Sequence, residues 1–186
     1  MKLHLGCGQK YIKGFKHIDQ ISYDHIDWVA PIYPLPFIED NSVQEIYSSH
    51  ALEYFDFHQA YNVLREWKRC LKKEGILRLS VPDFDNLLKV YNEEQLNIDK
   101  IIGPLFGRWP INENEFTYHK TVFTKQKLIQ LLKSSGFSEI GNWDPFEFFG
   151  RSDKSYDDYS KAYYPHMDFD NGFSICVNLI AKNHDK

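Results

Sequence analysis

The chain has 186 residues, a formal net charge of −4, and 42% hydrophobic and 16% aromatic residues. That length and apolar share suit one folded domain spanning 1–186 and exclude a disordered chain. The acidic balance excludes a broad nucleic-acid surface, which would leave a basic footprint. No apolar run approaches the roughly 18 residues of a membrane span, so no membrane partner is expected.

Cys7, Cys70 and Cys176 are scattered and odd in number, so neither a metal site nor a disulfide framework is expected. The opening Met1–Leu5 runs straight into Gly6 without a secretory leader, which makes the expected compartment cytoplasmic.

Leu3 to Leu5 reads as a short strand that stops at Gly6-Cys7-Gly8. Phe15 to Asp19 is a second strand ending in an acid, and His25 to Ala30 a weaker third. Pro31, Pro34 and Pro36 then break regular structure. Ser42 to Ser48 is a strand. After it Asp56 and Gln59 fit a capping box, opening a helix with Ala60, Leu64, Trp67 and Leu71 on one face. Gly75 suits the turn beyond that helix.

Ile76 to Val81 is a strand, and Asp83 can cap a helix reaching about Leu96. Residues 98–120 lack a clear period and read as a cap over the sheet. Thr124 starts another helix that stops at Gly136, and Ile140 to Asp144 is a further strand. Residues 150–172 form a long loop. Phe173 to Ala181 alternates strictly, placing Phe173, Ile175, Val177, Leu179 and Ala181 on one face. Strands alternating with helices predict a parallel α/β sheet, with one antiparallel strand added by the late pair.

Two features carry chemistry. A strand feeding Gly6 and Gly8 lets backbone approach a ligand, since no side chain intervenes. Asp19, ending the next strand, can accept hydrogen bonds from ribose hydroxyls. Eight residues, Gln9 to Lys16, separate Gly8 from His17, so the first crossover is abbreviated. A dinucleotide needs a longer helix whose N-terminus faces a pyrophosphate. S-adenosylmethionine (SAM) has no phosphate, and the short crossover favours it.

Five stretches follow in order: Leu5-Gly6-Cys7-Gly8, Gly14 to Asp19, Leu35 to Val43, Tyr47 to Tyr54 and Leu71 to Asp83. Together they resemble the class I SAM-dependent methyltransferases of the type 11 group. The likeness is to the compact bacterial branch associated with sugar and polysaccharide enzymes. It covers residues 3–83, and continues loosely through Tyr118 to Thr124 and Ser135-Gly136-Phe137. The resemblance implies a Rossmann-like seven-stranded sheet, mostly parallel, with SAM as cofactor and a small-molecule or saccharide acceptor.

Gly6, Cys7 and Gly8 would then line the methionine portion, and Asp19 would bind the ribose. The family's adenine-site acid falls at Pro31 here, leaving Ile32 an apolar and backbone role. His4 stands where many members carry an acid. Ser48, Ser49 and His50 would lie beside the sulfonium. For methyl transfer to a hydroxyl oxygen, His50, Asp83 and His119 are the candidate bases, in that order. Asp83 read as a plain helix cap, and Cys7 as a packing residue, are the bland alternatives. The rings Tyr156, Tyr159, Tyr163, Tyr164 and Phe169, among several aspartates, read either as a sugar-facing surface or as a loop packed down on the body. Two other functions fit the pattern less fully: a SAM-binding protein without turnover, and a nucleotide-sugar or NAD-dependent Rossmann enzyme.

Overall fold

The computed structural model describes residues 1–150 and 158–184. In chain order, β1 (Lys2–Leu5), β2 (Lys16–Asp19), β3 (Trp28–Val29) and β4 (Val43–Ser49) precede the first α-helix, α1 (Phe57–Cys70). Then come β5 (Leu71–Pro82), α2 (Phe84–Glu93) and α3 (Ile102–Phe106). A small hairpin, β6 (Trp109–Pro110) and β7 (Phe116–Thr117), is followed by α4 (Lys125–Ser134), β8 (Ser138–Asn142) and α5 (Pro145–Phe149). The chain closes with β9 (Tyr163–Tyr164), β10 (Phe173–Ser174) and β11 (Cys176–Lys182).

Seven strands form one sheet in the order β3-β2-β1-β4-β5-β11-β8. The five on the β3 side run parallel, and β11 lies antiparallel to both β5 and β8. This is the α/β sheet expected from the sequence, including its single reversed strand. The abbreviated first crossover is also present, because residues 6–15 contain turns and no helix.

Helix α1 forms where its capping box predicts. The Asp56 carboxylate accepts from the Gln59 N–H at 2.8 Å, and the Gln59 side chain accepts from the Asp56 N–H. Such a cap contributes about 1 kcal/mol. Ala60, Val63, Leu64 and Trp67 are fully buried on its inner face. They meet Leu3, Leu5, Ile18, Ile46, Leu77, Leu79, Val177 and Leu179 of the sheet, with Leu128, Leu131 and Leu132 of α4 alongside.

Two expectations shift. Helix α1 ends at Cys70, not near Gly75, because Leu71 is already extended. Glu74 and Gly75 instead make an irregularity within β5, where the β4 register jumps between Val43 and Glu45. The alternation of Phe173 to Ala181 also splits. Val177, Leu179 and Ala181 join the main core, while Phe173 and Ile175 pack with Leu87, Val90 and Ile101 around α2.

The opposite face of the sheet carries His4, His17, Glu45, Tyr47, Arg78 and Asn178. Among the described residues no long helix covers it. Instead α5 and the 3-10 turn Tyr159–Lys161 lie across it. Phe148 stacks on Tyr47 with ring centroids 5.4 Å apart, and the Arg78 guanidinium sits 5.0 Å from the Phe148 ring centroid. The Tyr47 hydroxyl donates to Asp158 at 2.7 Å, and the Asn178 amide donates to the Ser160 carbonyl at 2.9 Å. Of the aromatic loop singled out in the sequence, Tyr156 and its neighbours 151–157 lie outside the described residues.

Candidate active site

The carboxyl ends of parallel strands are where ligands bind in open α/β sheets. Here β1, β2, β4 and β5 end together on Gly6, Asp19, His50 and Asp83. Gly6 and Gly8 both sit in the left-handed region, at φ +66° and +50°. A Cβ on Gly6 would come within 2.6 Å of Ala51 Cβ, and Ile32 lies just beyond. Gly6 is therefore small so that β1 can pass the end of β4. At Gly8 the added carbon would sit 3.1 Å from the Trp109 ring. The cap hairpin thus reaches down onto the glycine turn.

Asp19 is nearly buried and locks this turn. Its two oxygens accept the Gly8 N–H at 2.8 Å and the Ile21 N–H at 2.9 Å. A carboxylate has about four acceptor positions, so each oxygen keeps capacity for one further donor. Two vicinal ribose hydroxyls suit that remainder. Cys7 lies in the turn with its thiol pushed up to about 12, first by burial and then by the Asp19 charge. It is a packing residue and not a nucleophile.

The other cofactor-side candidates divide. Ile32 packs beside the glycine turn, and its carbonyl accepts from the Trp67 indole at 3.0 Å. Ser48 is wholly buried, and its hydroxyl donates to the Leu5 carbonyl at 3.0 Å, tying β4 to β1. Ser49 donates to Asp158 at 3.1 Å. His4 points into the polar face between His17 and Tyr47, with ring centroids 5.5 and 5.0 Å away. Burial, then the neighbouring His17, holds its pKa well below the usual value. The side chains of His4, Ser48 and Ser49 are thus engaged within the sheet and its cover, while Gly8, Asp19 and Ile32 gather at the strand ends.

At the end of β4, His50 adopts φ +51° and its N–H bonds the Ser80 carbonyl. Its Nε2 lies 3.2 Å from Cys176 Sγ, and its Nδ1 lies 3.6 Å from Glu53 Oε1. Burial lowers its pKa to about 3, so it is neutral. His119 comes from the cap and packs its ring on Gly107, where a Cβ would meet Nε2 at 2.3 Å. Its Nε2 lies 3.7 Å from the same Glu53 oxygen, and burial lowers its pKa too. Asp83 is taken up by α2: its carboxylate accepts from the Asp85 N–H at 3.1 Å and the Asn86 amide at 3.0 Å. The cap reading accounts for that side chain, although burial raises its pKa.

Sequence reasoning did not single out Glu53 as a site residue. It is 1% exposed. Neither carboxylate oxygen has a hydrogen-bond partner. Burial raises its pKa to about 8. Its signal was present, since an acid flanked by Ala51, Leu52, Tyr54 and Phe55 is out of place unless buried for a purpose. Cys176, set against His50, was also missed; nothing local marks it.

Residues 15–79 match a family model described as a methyltransferase domain. That span contains Asp19, Ile32, His50 and Glu53 but stops short of Asp83 and the cap. No curated protein matches the chain. Among solved structures, a SAM-dependent methyltransferase of Methanosarcina mazei is 18% identical, with a TM-score of 0.58, covering 100% of this chain and 92% of that one. The 1,6-didemethyltoxoflavin-N1-methyltransferase of Burkholderia thailandensis, solved with S-adenosylhomocysteine, is 11% identical. Its TM-score is 0.53, covering 99% of this chain and 71% of that one. Against a SAM-dependent methyltransferase from Thermotoga maritima, 15% identical with a TM-score of 0.47, the alignment covers 83% of this chain but 62% of the other. The matched segment and the shared sheet show the methyltransferase fold.

Proposed function

We propose that the chain transfers the methyl group of SAM to a small-molecule acceptor, at a hydroxyl oxygen, with a saccharide as the favoured class. The observation that carries this reading is the clasp of Asp19 on the Gly8 turn, 2.8 Å from oxygen to nitrogen, at the same carboxyl strand ends where His50 closes β4. The glycine turn and Asp19 would hold the methionine and ribose portions, and Ile32 the adenine by apolar contact. When bound, SAM supplies a methyl group already activated by its sulfonium.

The chain's own task is then alignment and exclusion of water. Trp109 and the cap shield the turn. His50, neutral and at the strand end, is the proposed base for a hydroxyl, which an amine acceptor would not need. Tyr159 is half exposed with its ring 5.3 Å from that of His50, a flat surface suited to a sugar face. No described helix is long and apolar enough to cross a membrane, in keeping with a proposed cytoplasmic setting.

Calorimetry with SAM and S-adenosylhomocysteine tests the cofactor site. Asp19→Ala is expected to weaken binding by about 1–3 kcal/mol, the cost of unpaired ribose hydroxyls. Unchanged affinity places the cofactor elsewhere. Methyl transfer to a panel of sugars, phenols and small amines tests the acceptor. SAM binding without transfer to any of them favours a binding protein.

A further inference from the structure

Glu53 sits in a short 3-10 turn, Leu52–Tyr54, between the end of β4 and α1. A carboxylate buried without a hydrogen bond is strongly disfavoured unless it is neutral or paired. The backbone carbonyl of Glu53 also accepts from Lys120 at 2.8 Å and from Thr121 at 3.3 Å, which fastens the cap to this turn. The Glu53 carboxylate lies 3.6 Å from His50 Nδ1 and 3.7 Å from His119 Nε2.

The cavity beside Glu53 is lined by Pro82, Phe84, Leu105, His119, Thr121 and Phe123, and its volume is about 10 Å³. That is room for one water and not for an acceptor. Glu53 therefore acts through the histidines.

We propose that Glu53 is a positioning residue for methyl transfer, holding His50 with its Nδ1–H toward the carboxylate and its Nε2, which faces the Cys176 thiol at 3.2 Å, unprotonated and able to take the acceptor's proton once the acceptor displaces that thiol. This rests on the reading of His50 as base. In the step, the acceptor oxygen–carbon bond forms as the carbon–sulfur bond breaks, and His50 takes the hydroxyl proton on Nε2. The ionised Glu53 carboxylate stabilises the resulting imidazolium, as the buried carboxylate does in a hydrolase triad. The sulfonium charge disappears and one proton is released to solvent when His50 resets.

The titratable groups facing Glu53 are His50, His119, Tyr54 of its own turn and Cys176 of β11. Burial raises the tyrosine and the thiol and lowers both histidines, so none of these four is charged at neutral pH. The Glu53–His50 pair then carries one proton near pH 7. It loses that proton as Glu53 ionises near pH 8. The anion left behind raises the basicity of His50.

The test needs no acceptor. Nitrogen-15 NMR of the full chain, with S-adenosylhomocysteine added, is followed from pH 6 to 10. The expected result is His50 protonated at Nδ1 and bare at Nε2, with a shift step centred near pH 8 that Glu53→Gln abolishes. A His50 protonated at Nε2, or no step in the parent protein, overturns the proposal even if Glu53→Gln fails to fold. The same step persisting in a folded Glu53→Gln also overturns it. Where a methyl acceptor is found, kcat should rise through about pH 8 and fall roughly 10²-fold in Glu53→Gln, with KM for SAM within about twofold. Failure to find any acceptor counts against the proposed function and leaves the NMR result to judge Glu53.

Discussion

The two faces of the sheet solve burial in different ways. One is covered by α1 and α4 and filled with leucine, valine and isoleucine around Trp67. The other is covered by short pieces, and its buried surface holds His4, His17, Tyr47, Glu45 and Asp158. The first face owes its stability to transfer of apolar area from water. The second owes it to stacked rings and to hydrogen bonds such as those from Tyr47 to Asp158 and from Asn178 to the Ser160 carbonyl. On the second face, polar side chains of β4 and β11 tie the short covering turn down.

The sharpest way to separate the two faces is to open a hole in the helix-clad one. Trp67 is fully buried, and its indole also donates to the Ile32 carbonyl. Trp67→Ala should cost about 3–5 kcal/mol, by lost transfer and cavity energy. Urea unfolding measures it. A loss under about 1 kcal/mol would show that this face does not carry the core.

The helix-clad face is also the one the sequence made legible. The box at Asp56 and Gln59 and the spacing of Ala60, Leu64 and Trp67 are local, so they can be read without knowing the fold. The strand ends Gly6, Gly8 and Asp19 were legible for the same reason, because glycine pairs and a terminal acid mark the chain locally. The polar face was not. Asp158 meets Tyr47 across 111 positions of sequence, and no period announces such a pair. Glu53 was hidden differently. Its neighbours His50 and Cys176 meet only when β4 and β11 flank β5, and His119 arrives from a cap without regular spacing. Asp83 shows the converse, since its capping signal was plain and the structure puts its side chain to that use.

Acid should distinguish the faces next. His4 and His17 are held neutral by burial, with pKa values lowered in the fold. Unfolded, each binds a proton near pH 6.5, so below that pH the unfolded state binds more protons than the native one. Stability is therefore lost as pH falls below about 6.5 and is fully present above it. A histidine held neutral contributes about 1.4 kcal/mol per pH unit, and His4, whose pKa is held well below the usual value, is the one to test. His4→Leu should remove its share. The stability gap between parent and variant should shift by about 2 kcal/mol between pH 6.5 and 5, in favour of the variant. Parallel pH curves would mean that His4 titrates normally. Glu53 acts with the opposite sign. Its raised folded pKa makes the parent less stable as pH rises from about 4.5 to about 8, so comparing the variant with its parent is what isolates His4.

The smallest expected effect probes one hydrogen bond on the polar face. The Tyr47 hydroxyl shares Asp158 Oδ1 with the Ser49 hydroxyl at 3.1 Å and the Ser160 N–H at 2.8 Å. Removing the hydroxyl alone keeps the ring stacked on Phe148 and leaves two donors on that oxygen. Tyr47→Phe should therefore cost only about 1–2 kcal/mol, the range for a bond to a charged group when the acceptor stays partly satisfied. The same change in an Asp158→Ala background should cost nearly nothing, because the partner is already gone. That non-additivity is the measurement that matters, since contacting residues couple and distant ones do not. Equal losses in both backgrounds would mean that the hydroxyl is stabilised by something other than Asp158. The covering turn would then be held to the sheet mainly by its rings and by Asn178.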